Sequence, residues 1–291
     1  MKKRATSFLL AVLAVASLIL PTFAAEGGWS AIRLDGEPVY SVDYEIRDGV
    51  CFVTVASFVT LMDADAMVEE ENGRVSVSAS RVTEVVDVDS ESANVVTENL
   101  SLTARVGASY IEANGRCLYV EGGVSTLNGA VAVPVRVMAQ VYNMDVGFNS
   151  EQHSVILNHR PGVKLYYLLT DEAYYGSDNV LWLARIINAE SGNQPLEGKI
   201  AVGNVVMNRV NSPKFPNNIY DVLYQKNQFS PASSGSLKRT PNEESVIAAK
   251  LVLDGAQVVP NALFFSRAGL SCYASRNRPY VTTIGDHAFY A

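Results

Sequence analysis

The sequence predicts an α+β protein in two parts, a repeated strand–helix–strand module followed by a mainly helical domain with a small sheet. Residues 49–55 and 129–135 share one apolar strand pattern, and the match continues downstream at a constant shift of 80 residues. After this repeat, apolar residues recur at helical spacing. Charge divides in the same way: residues 25–169 contain 20 acidic and 9 basic residues, whereas residues 170–291 contain 10 and 11.

The N-terminal segment has the pattern of a secretory signal peptide. Basic residues 2–4 precede an uncharged run, 7–20. In Thr22-Phe23-Ala24, small residues occupy the two positions that a signal peptidase recognises. We expect cleavage after Ala24, which removes residues 1–24. The run is short for a membrane span, so no membrane association is expected after cleavage, and an uncleaved anchor is the alternative.

Residues 25–160 are predicted to contain two copies of one unit that reads strand, short helix, strand, strand. Asp35-Gly36 near the start of the first copy and Asn114-Gly115 in the second are typical of tight hairpin turns. The polar, acidic stretch 79–105 is expected to be an insertion between the copies. A Pro-Gly pair then opens the predicted linker, residues 161–177.

The repeat resembles the copper amine oxidase N-terminal-like domain of exported bacterial proteins. The second copy keeps the V-P-V-R core of that family at 133–136, whereas the first copy reads Val-Thr-Val-Ala at 53–56. The resemblance implies either adhesion to the cell wall or spacing between domains. No cluster of copper ligands is visible in the repeat.

Three cysteines, Cys51, Cys117 and Cys272, leave at least one free thiol. Cys51 and Cys117 lie in apolar strand patterns, and they either pair with each other or are two separate buried thiols. Cysteine and histidine are not spaced as zinc ligands, so we expect no metal site and no cofactor.

Residues 178–291 are predicted to form a helical domain. Gly203 lies inside its second helix, where it would let another element approach the backbone closely. The predicted helices are Asp178–Glu190, Pro195–Val210, about 219–224 and a fourth that begins with a capping box at Thr240 and ends at Gly255. The predicted strands are 263–265 and 280–284.

Several function classes are excluded by missing patterns. The acidic first half argues against nucleic-acid binding. No nucleophile elbow, P-loop or dinucleotide fingerprint is present. His287 is the only histidine after residue 170, and we expect it to be a structural hydrogen-bond partner.

Carboxylates are the remaining candidates for catalysis. Glu190 stands between an apolar helix and a Ser-Gly turn, where burial would keep it protonated and able to act as a general acid. Glu243 and Glu244 are explained by helix capping. Asp254 precedes a helix-ending glycine and is expected to be exposed to solvent.

Five ordered motifs run through the segment from about 181 to 290. They are A-R-x-I-x-x-E at 184–190, G-x-x-A-V-G-x-V-x-x-N-R-V at 198–210, S-P-x-F-P-N at 212–217, Q-F at 228–229 and R-P-Y-V-x-T-I-G-x-H-x-F-Y at 278–290. With these motifs the segment resembles the SleB/CwlJ family of bacterial cell-wall hydrolases, which includes spore-cortex-lytic enzymes. It departs from the family beside Glu190, where Ser-Gly-Asn-Gln at 191–194 lacks the second glutamate of the family motif A-E-A-x-G-E.

The resemblance implies a lysozyme-like fold and a lytic transglycosylase secreted to the wall or the spore. Its partners would be peptidoglycan glycan strands of spore cortex during germination or of vegetative wall, with an activator protein as a further partner. Glu190 would give a proton to the leaving oxygen and then take one from the muramic 6-hydroxyl. A muramidase that uses water and a non-catalytic wall-binding protein are the alternatives.

Five further residues are candidates for substrate binding. Asn208 and Gln228 would hydrogen-bond acetamido groups, with helix or loop structure as the alternative. Phe229, Tyr280 and Tyr290 would stack on sugars, with core packing as the alternative, which is favoured for Phe229.

Overall fold

The computed structural model describes residues 32–87, 92–161, 165–226 and 228–291. The predicted signal peptide, residues 1–24, lies outside the described residues. Within the described ranges, no helix has the length and apolar character needed to cross a membrane.

The N-terminal part consists of short strands and two short helices, in the repeated order that the sequence predicts. The run β3-β4-α1-β5-β6 has the same order as β10-β11-α2-β12-β13, and the hairpin β1-β2 corresponds to β8-β9. The elements are β1 (Ile32–Leu34), β2 (Glu37–Val39), β3 (Tyr44–Arg47), β4 (Val50–Thr54), α1 (Val55–Met62), β5 (Met67–Glu71), β6 (Arg74–Asp87), β7 (Ser92–Arg105), β8 (Tyr110–Ala113), β9 (Arg116–Tyr119), β10 (Ser125–Leu127), β11 (Ala130–Pro134), α2 (Val135–Val141), β12 (Met144–Asn149) and β13 (Ser154–His159).

The two copies are joined through strand pairing. β4 pairs antiparallel with β11, so that Val53 lies opposite Val133. β1 pairs parallel with β13, so that Ile32 lies opposite Val155. Val53 and Val133 are fully buried in a core that both copies share. The repeat is therefore one packed unit rather than two independent ones.

Asx-Gly pairs close the hairpins of both copies. Asp35-Gly36 connects β1 to β2, and Asn114-Gly115 connects β8 to β9. Both residues of each pair have positive φ, at 50° and 90° in the first and 50° and 78° in the second. This is the conformation of a type I′ turn, which asparagine, aspartate and glycine tolerate best. The predicted turns are present at these positions.

Within the described residues, the acidic stretch 79–105 lies in two long antiparallel strands. β6 and β7 pair antiparallel from Arg74 opposite Arg105 to Asp87 opposite Ser92. β7 continues the sheet into β8 and β9, which gives the strand order β5-β6-β7-β8-β9. The insertion therefore carries the chain from the first copy to the hairpin β8-β9 of the second.

The C-terminal part is mainly helical with a three-stranded sheet, as predicted. Its fourth predicted helix is capped by Asn242, whose side chain accepts the N–H of Ser245, and not by Thr240. The predicted strand at 263–265 lies at 264–267. The elements are α3 (Asp171–Tyr175), α4 (Ser177–Ser191), α5 (Leu196–Val210), α6 (Ile219–Tyr224), α7 (Ser230–Ser234), a 3₁₀ turn (Ser236–Lys238), α8 (Glu243–Leu253), β14 (Phe264–Arg267), α9 (Tyr273–Asn277), β15 (Tyr280–Ile284) and β16 (His287–Tyr290).

Gly203 allows α4, α5 and α8 to pack closely. A Cβ atom at this position would lie 2.9 Å from Cγ2 of Val252 on α8 and 3.0 Å from Cδ1 of Ile187 on α4. Both neighbours are buried side chains of the C-terminal core. The close approach expected at Gly203 is therefore present, and it brings α4 against the centre of the helical core.

A buried ion pair connects the hairpin β8-β9 to the end of α8. Arg116 on β9 donates from Nε to Oδ1 of Asp254 at 3.1 Å, and the two side chains are 6% and 1% exposed. The Tyr175 hydroxyl also donates to Asp254. The expectation that Asp254 is exposed is wrong, because its charge is matched by an arginine 138 residues earlier in the chain.

The cysteines are all free thiols. Cys51 belongs to the N-terminal core, whereas Cys117 packs into the core of the C-terminal helices. Burial raises the pKa of both thiols to about 12. Of the two alternatives left by the sequence, separate buried thiols are observed, and Cys117 extends the contact between the two parts.

Candidate active site

Glu190 lies in the last turn of α4, one residue before the helix ends at Ser191. The helix packs Leu183, Ile186 and Ile187 fully into the core, and this packing fixes its last turn. Within the described residues, the Glu190 carboxyl is partly buried and forms no hydrogen bond or ion pair. Burial raises its pKa above the ordinary glutamate value because the ionised form is poorly solvated.

A cavity of about 730 Å³ opens beside Glu190. This volume is in the usual range for small-ligand sites. Three Lys or Arg side chains line the cavity against one carboxylate, so it favours polar or anionic groups. The lining residues are Glu190, Arg209, Tyr224, Gln225, Lys226, Gln228, Phe229, Ser230, Phe265, Ser266, Arg267 and His287.

The turn around Glu190 is held by the N-terminus of α8. Oδ1 of Asn188 accepts the backbone N–H of Asn242 at 3.1 Å. Nδ2 of Asn242 donates to the carbonyl of Gly192 at 3.4 Å. These bonds hold the chain two residues before and two residues after Glu190.

Gln194 occupies the position at which the SleB/CwlJ motif has its second glutamate. It is 7% exposed, and its Oε1 accepts the backbone N–H of Asp286 at 2.9 Å while its Nε2 donates to the Asp286 carboxylate at 3.1 Å. Gln194 therefore connects the α4–α5 turn to the β15–β16 turn. Gly285 has a positive φ of 56°, and a Cβ atom there would displace Oε1 of Gln194, so any other residue would strain this turn.

Two of the five predicted binding residues line the cavity. Gln228 is exposed at its edge. Phe229 is 5% exposed and packs against Phe265, with ring centroids 6.4 Å apart. Phe229 therefore forms part of the cavity wall and of the core at the same time, and sugar stacking on either residue stays a prediction.

The other three lie away from the cavity lining. Nδ2 of Asn208 donates to the carbonyls of Val259 and Ala262, at 3.0 and 2.9 Å, which gives this amide a structural role. Tyr280 is 62% exposed on β15, and Tyr290 is 6% exposed beneath it, with ring centroids 6.1 Å apart. None of these three side chains lines the cavity.

Arg209 is a lining residue that the sequence analysis did not assign. Its Nε donates to the carbonyl of Leu263 at 2.8 Å, and its guanidinium lies 4.9 to 5.4 Å from the ring centroids of Phe215, Phe229 and Phe264. Burial lowers the pKa of Arg209 to about 10, so it stays charged at neutral pH. The N-R pair of the family motif was its only sequence signal.

His287 also lines the cavity, contrary to the role expected for it. Its Nδ1 is buried and has no hydrogen-bond partner among the described residues. The ring instead packs edge-on against Phe265 at 5.4 Å, and burial lowers the pKa of His287. A neutral imidazole therefore forms part of the wall, as a packing element rather than a hydrogen-bonded support.

The described residues contain no group of three or more His, Cys, Asp or Glu side chains that could hold a metal ion. Among the described lining residues, Glu190 is the one carboxylate, and burial raises its pKa while it lowers the pKa of His287. The arrangement can donate one proton and accept it back at a single carboxyl. This chemistry fits the protonation and departure of a leaving oxygen.

Comparison with known families agrees with both resemblances drawn from the sequence. Residues 193–290 match the family described as Cell Wall Hydrolase. Residues 33–157 match the family described as Copper amine oxidase N-terminal domain. The first matched range begins three residues after Glu190, so the assignment of this carboxyl depends on its own geometry.

Curated relatives include two spore cortex-lytic enzymes. The enzyme of Bacillus cereus is 30% identical over 118 residues, which are 40% of this chain and 45% of the relative. The enzyme of Bacillus subtilis (strain 168) is 28% identical over 116 residues, which are 40% of this chain and 38% of the relative. The chain thus spans less than half the length of these relatives.

Two solved structures are also similar. They are the catalytic domain of the Bacillus cereus SleB protein and the catalytic domain of a germination-specific lytic transglycosylase, SleB, from Bacillus anthracis. Each match covers 40% of this chain at 29% identity and has a TM-score of 0.38. The matches cover 92% of the Bacillus cereus chain and 97% of the Bacillus anthracis chain.

Proposed function

Since the chain carries a SleB-type cell wall hydrolase domain behind a copper amine oxidase N-terminal domain, we propose that it is an exported enzyme that cleaves peptidoglycan. The bond cleaved joins N-acetylmuramic acid to N-acetylglucosamine, and the reaction is that of a lytic transglycosylase. The proposed organisation is a signal peptide at 1–24, the repeat domain at 25–160, a linker at 161–177 and the catalytic domain at 178–291.

The observation that carries this proposal is the Glu190 carboxyl at the cavity, which is partly buried and has no hydrogen-bond or ion-pair partner among the described residues. Its raised pKa favours the protonated form that a general acid needs. In the first step this proton passes to the glycosidic oxygen as the C–O bond breaks. In the second step the Glu190 carboxylate takes the proton of the muramic 6-hydroxyl, whose oxygen bonds to C1 and closes a 1,6-anhydro ring.

A single carboxylate is sufficient for this sequence of steps. An inverting or retaining glycosidase needs a second carboxylate, to activate water or to attack the sugar. Glu190 is the one carboxylate of the described lining. An attacking hydroxyl that already belongs to the substrate needs no separate base to position water, and the intramolecular reaction avoids the recruitment of a second reactant.

The test is substitution of Glu190 by glutamine, which keeps the shape of the side chain and removes the titrating proton. We expect turnover of purified sacculi to fall by roughly 10²–10⁴-fold, the usual share of general acid–base catalysis. Glu197→Gln and Asp221→Asn are matched controls, because both residues are exposed and lie outside the cavity lining. Near-normal turnover of the Glu190 variant would refute the proposal.

We place the substrate in the bacterial wall or the spore cortex, because curated relatives are spore cortex-lytic enzymes. Digestion of cortex fragments and of vegetative sacculi in parallel separates these two substrates. A wild-type chain that binds sacculi and releases no fragments from either preparation would instead be a wall-binding protein.

A further inference from the structure

A second cavity, of about 550 Å³, lies where the second repeat meets the first residues of the C-terminal part. The proposed reaction does not use this cavity. Its lining is polar and comes from β9, α2, β12 and the segments around residues 160 and 169–174. The lining residues are Arg116, Arg136, Gln140, Asn143, Met144, Asp145, Val146, Arg160, Leu169 and Tyr174.

Among the described residues, three guanidinium groups and one carboxylate, that of Asp145, line this cavity. The charge of Arg116 is balanced by Asp254 behind it, and its guanidinium stacks 3.5 Å from the centroid of Tyr174. Arg160 pairs with Asp145 at 2.8 Å, but these side chains are 46% and 63% exposed. An exposed pair of this kind is weak, so an incoming anion can compete for Arg160.

Arg136 has no ion-pair partner among the described residues, and its one hydrogen bond runs to the carbonyl of Val146 at 3.5 Å. Gln140 follows four residues later on α2, so its amide lies on the same face of the helix. The side-chain amide of Gln140 forms no hydrogen bond within the described part of the chain. The cavity therefore presents uncommitted donors in a domain of strongly negative charge.

The first copy of the repeat shows that the fold does not require these arginines. At the shift of 80 residues, Arg136 corresponds to Ala56 and Arg160 to Ser80. The acidic residue Asp145, in contrast, corresponds to Asp65. Both copies form the same elements, so the arginines are a property of the second copy alone.

We propose that this cavity binds an oxyanion, a carboxylate or phosphate group, through Arg136, Arg160 and Gln140. Guanidinium groups bind both oxyanions through paired N–H donors. The anion site itself follows from the cavity, whereas the choice of an anionic wall polymer as its source rests on the proposed function. Stem-peptide carboxylates and wall phosphodiesters are the two sources of that chemistry.

The test measures co-sedimentation of the full chain with sacculi. Arg136→Gln combined with Arg160→Gln should weaken binding at least about tenfold, because charge-assisted hydrogen bonds are lost, and should reduce its dependence on salt. Arg105→Gln is the control, since this exposed arginine on β7 lies outside the cavity. Turnover of soluble glycan fragments should stay unchanged in all variants, and circular dichroism with melting curves checks that the repeat domain of each variant is folded.

Two treated preparations identify the source. If wild type and double variant bind equally to sacculi stripped of phosphodiester polymers, the phosphate is the ligand. If they bind equally to sacculi with amidated carboxylates, the carboxylate is the ligand. Equal binding by wild type and double variant, or an equal loss in Arg105→Gln, overturns the proposal, as does a difference that survives both treatments. Arginine-dependent binding without cleavage would refute the proposed function and leave the anion site in place.

Discussion

Truncation of Arg116 to alanine tests how the two parts of the chain depend on each other. The Arg116 and Asp254 side chains are 6% and 1% exposed, so both charges are largely removed from bulk water. Arg116→Ala removes the cation and leaves the carboxylate buried, with the Tyr175 hydroxyl as its remaining side-chain donor. The loss also removes the stacking of Arg116 on Tyr174.

Removal of one partner of a buried ion pair costs about 3–5 kcal/mol, because the other charge stays in the interior without compensation. Since one kcal/mol shifts the melting temperature of a protein of this size by about 2–4 °C, we expect a fall of roughly 6–20 °C. The exposed pair Arg160–Asp145 provides the contrast. Arg160→Ala should change the free energy of unfolding by about 0–1 kcal/mol.

The assay is urea denaturation at neutral pH, followed by circular dichroism. A double variant, Arg116→Met with Asp254→Leu, replaces the pair by apolar side chains and should recover most of the stability, because no isolated charge is then left buried. A loss below about 1 kcal/mol for Arg116→Ala would refute the reasoning, since it would mean that water reaches Asp254 freely.

Three further predictions concern Glu190, the catalytic domain and metals. Because burial raises the pKa of Glu190, its ionisation in the folded state costs stability as pH rises through that pKa. Glu190→Gln should therefore be more stable than wild type at about pH 8 and should lose this advantage toward about pH 4. Equal melting curves of the two proteins at both pH values would contradict this. Residues 170–291 alone should still cleave soluble fragments, with weaker sacculus binding and a lower melting temperature; a folded fragment without activity would oppose the domain assignment. EDTA should leave turnover unchanged, and inactivation that a specific metal reverses would overturn the carboxylate mechanism.

Much of the fold could be predicted because its signals are local. The type I′ turns at Asp35-Gly36 and Asn114-Gly115 need two residues with positive φ, and few residue pairs supply them. The repeat of 80 residues fixed the order of the elements in both copies. The pairing of β4 with β11 and of β1 with β13 joins strands that are far apart in the sequence, so no local pattern predicts it.

Glu190 could be predicted because helix, carboxyl and Ser-Gly turn are adjacent in sequence. Arg209 and His287 reach the same cavity from α5 and β16, and their place in its wall depends on packing against Phe265 and Phe229. Asp254 was misjudged for the same reason: its partner is far away in sequence. The sequence therefore pointed to Glu190 as the proposed acid, whereas the residues around it could be identified only from the structure.

Mass analysis of the products tests the central claim most directly. Sacculi digested by the wild-type chain should release muropeptides with 1,6-anhydro ends, which weigh one water less than reducing ends. Glu190→Gln should release them roughly 10²–10⁴-fold more slowly. Release of anhydro ends that depends on Glu190 is the result that the account predicts. Reducing N-acetylmuramic acid ends as the main product, or anhydro ends released by the Glu190 variant at the wild-type rate, would contradict it.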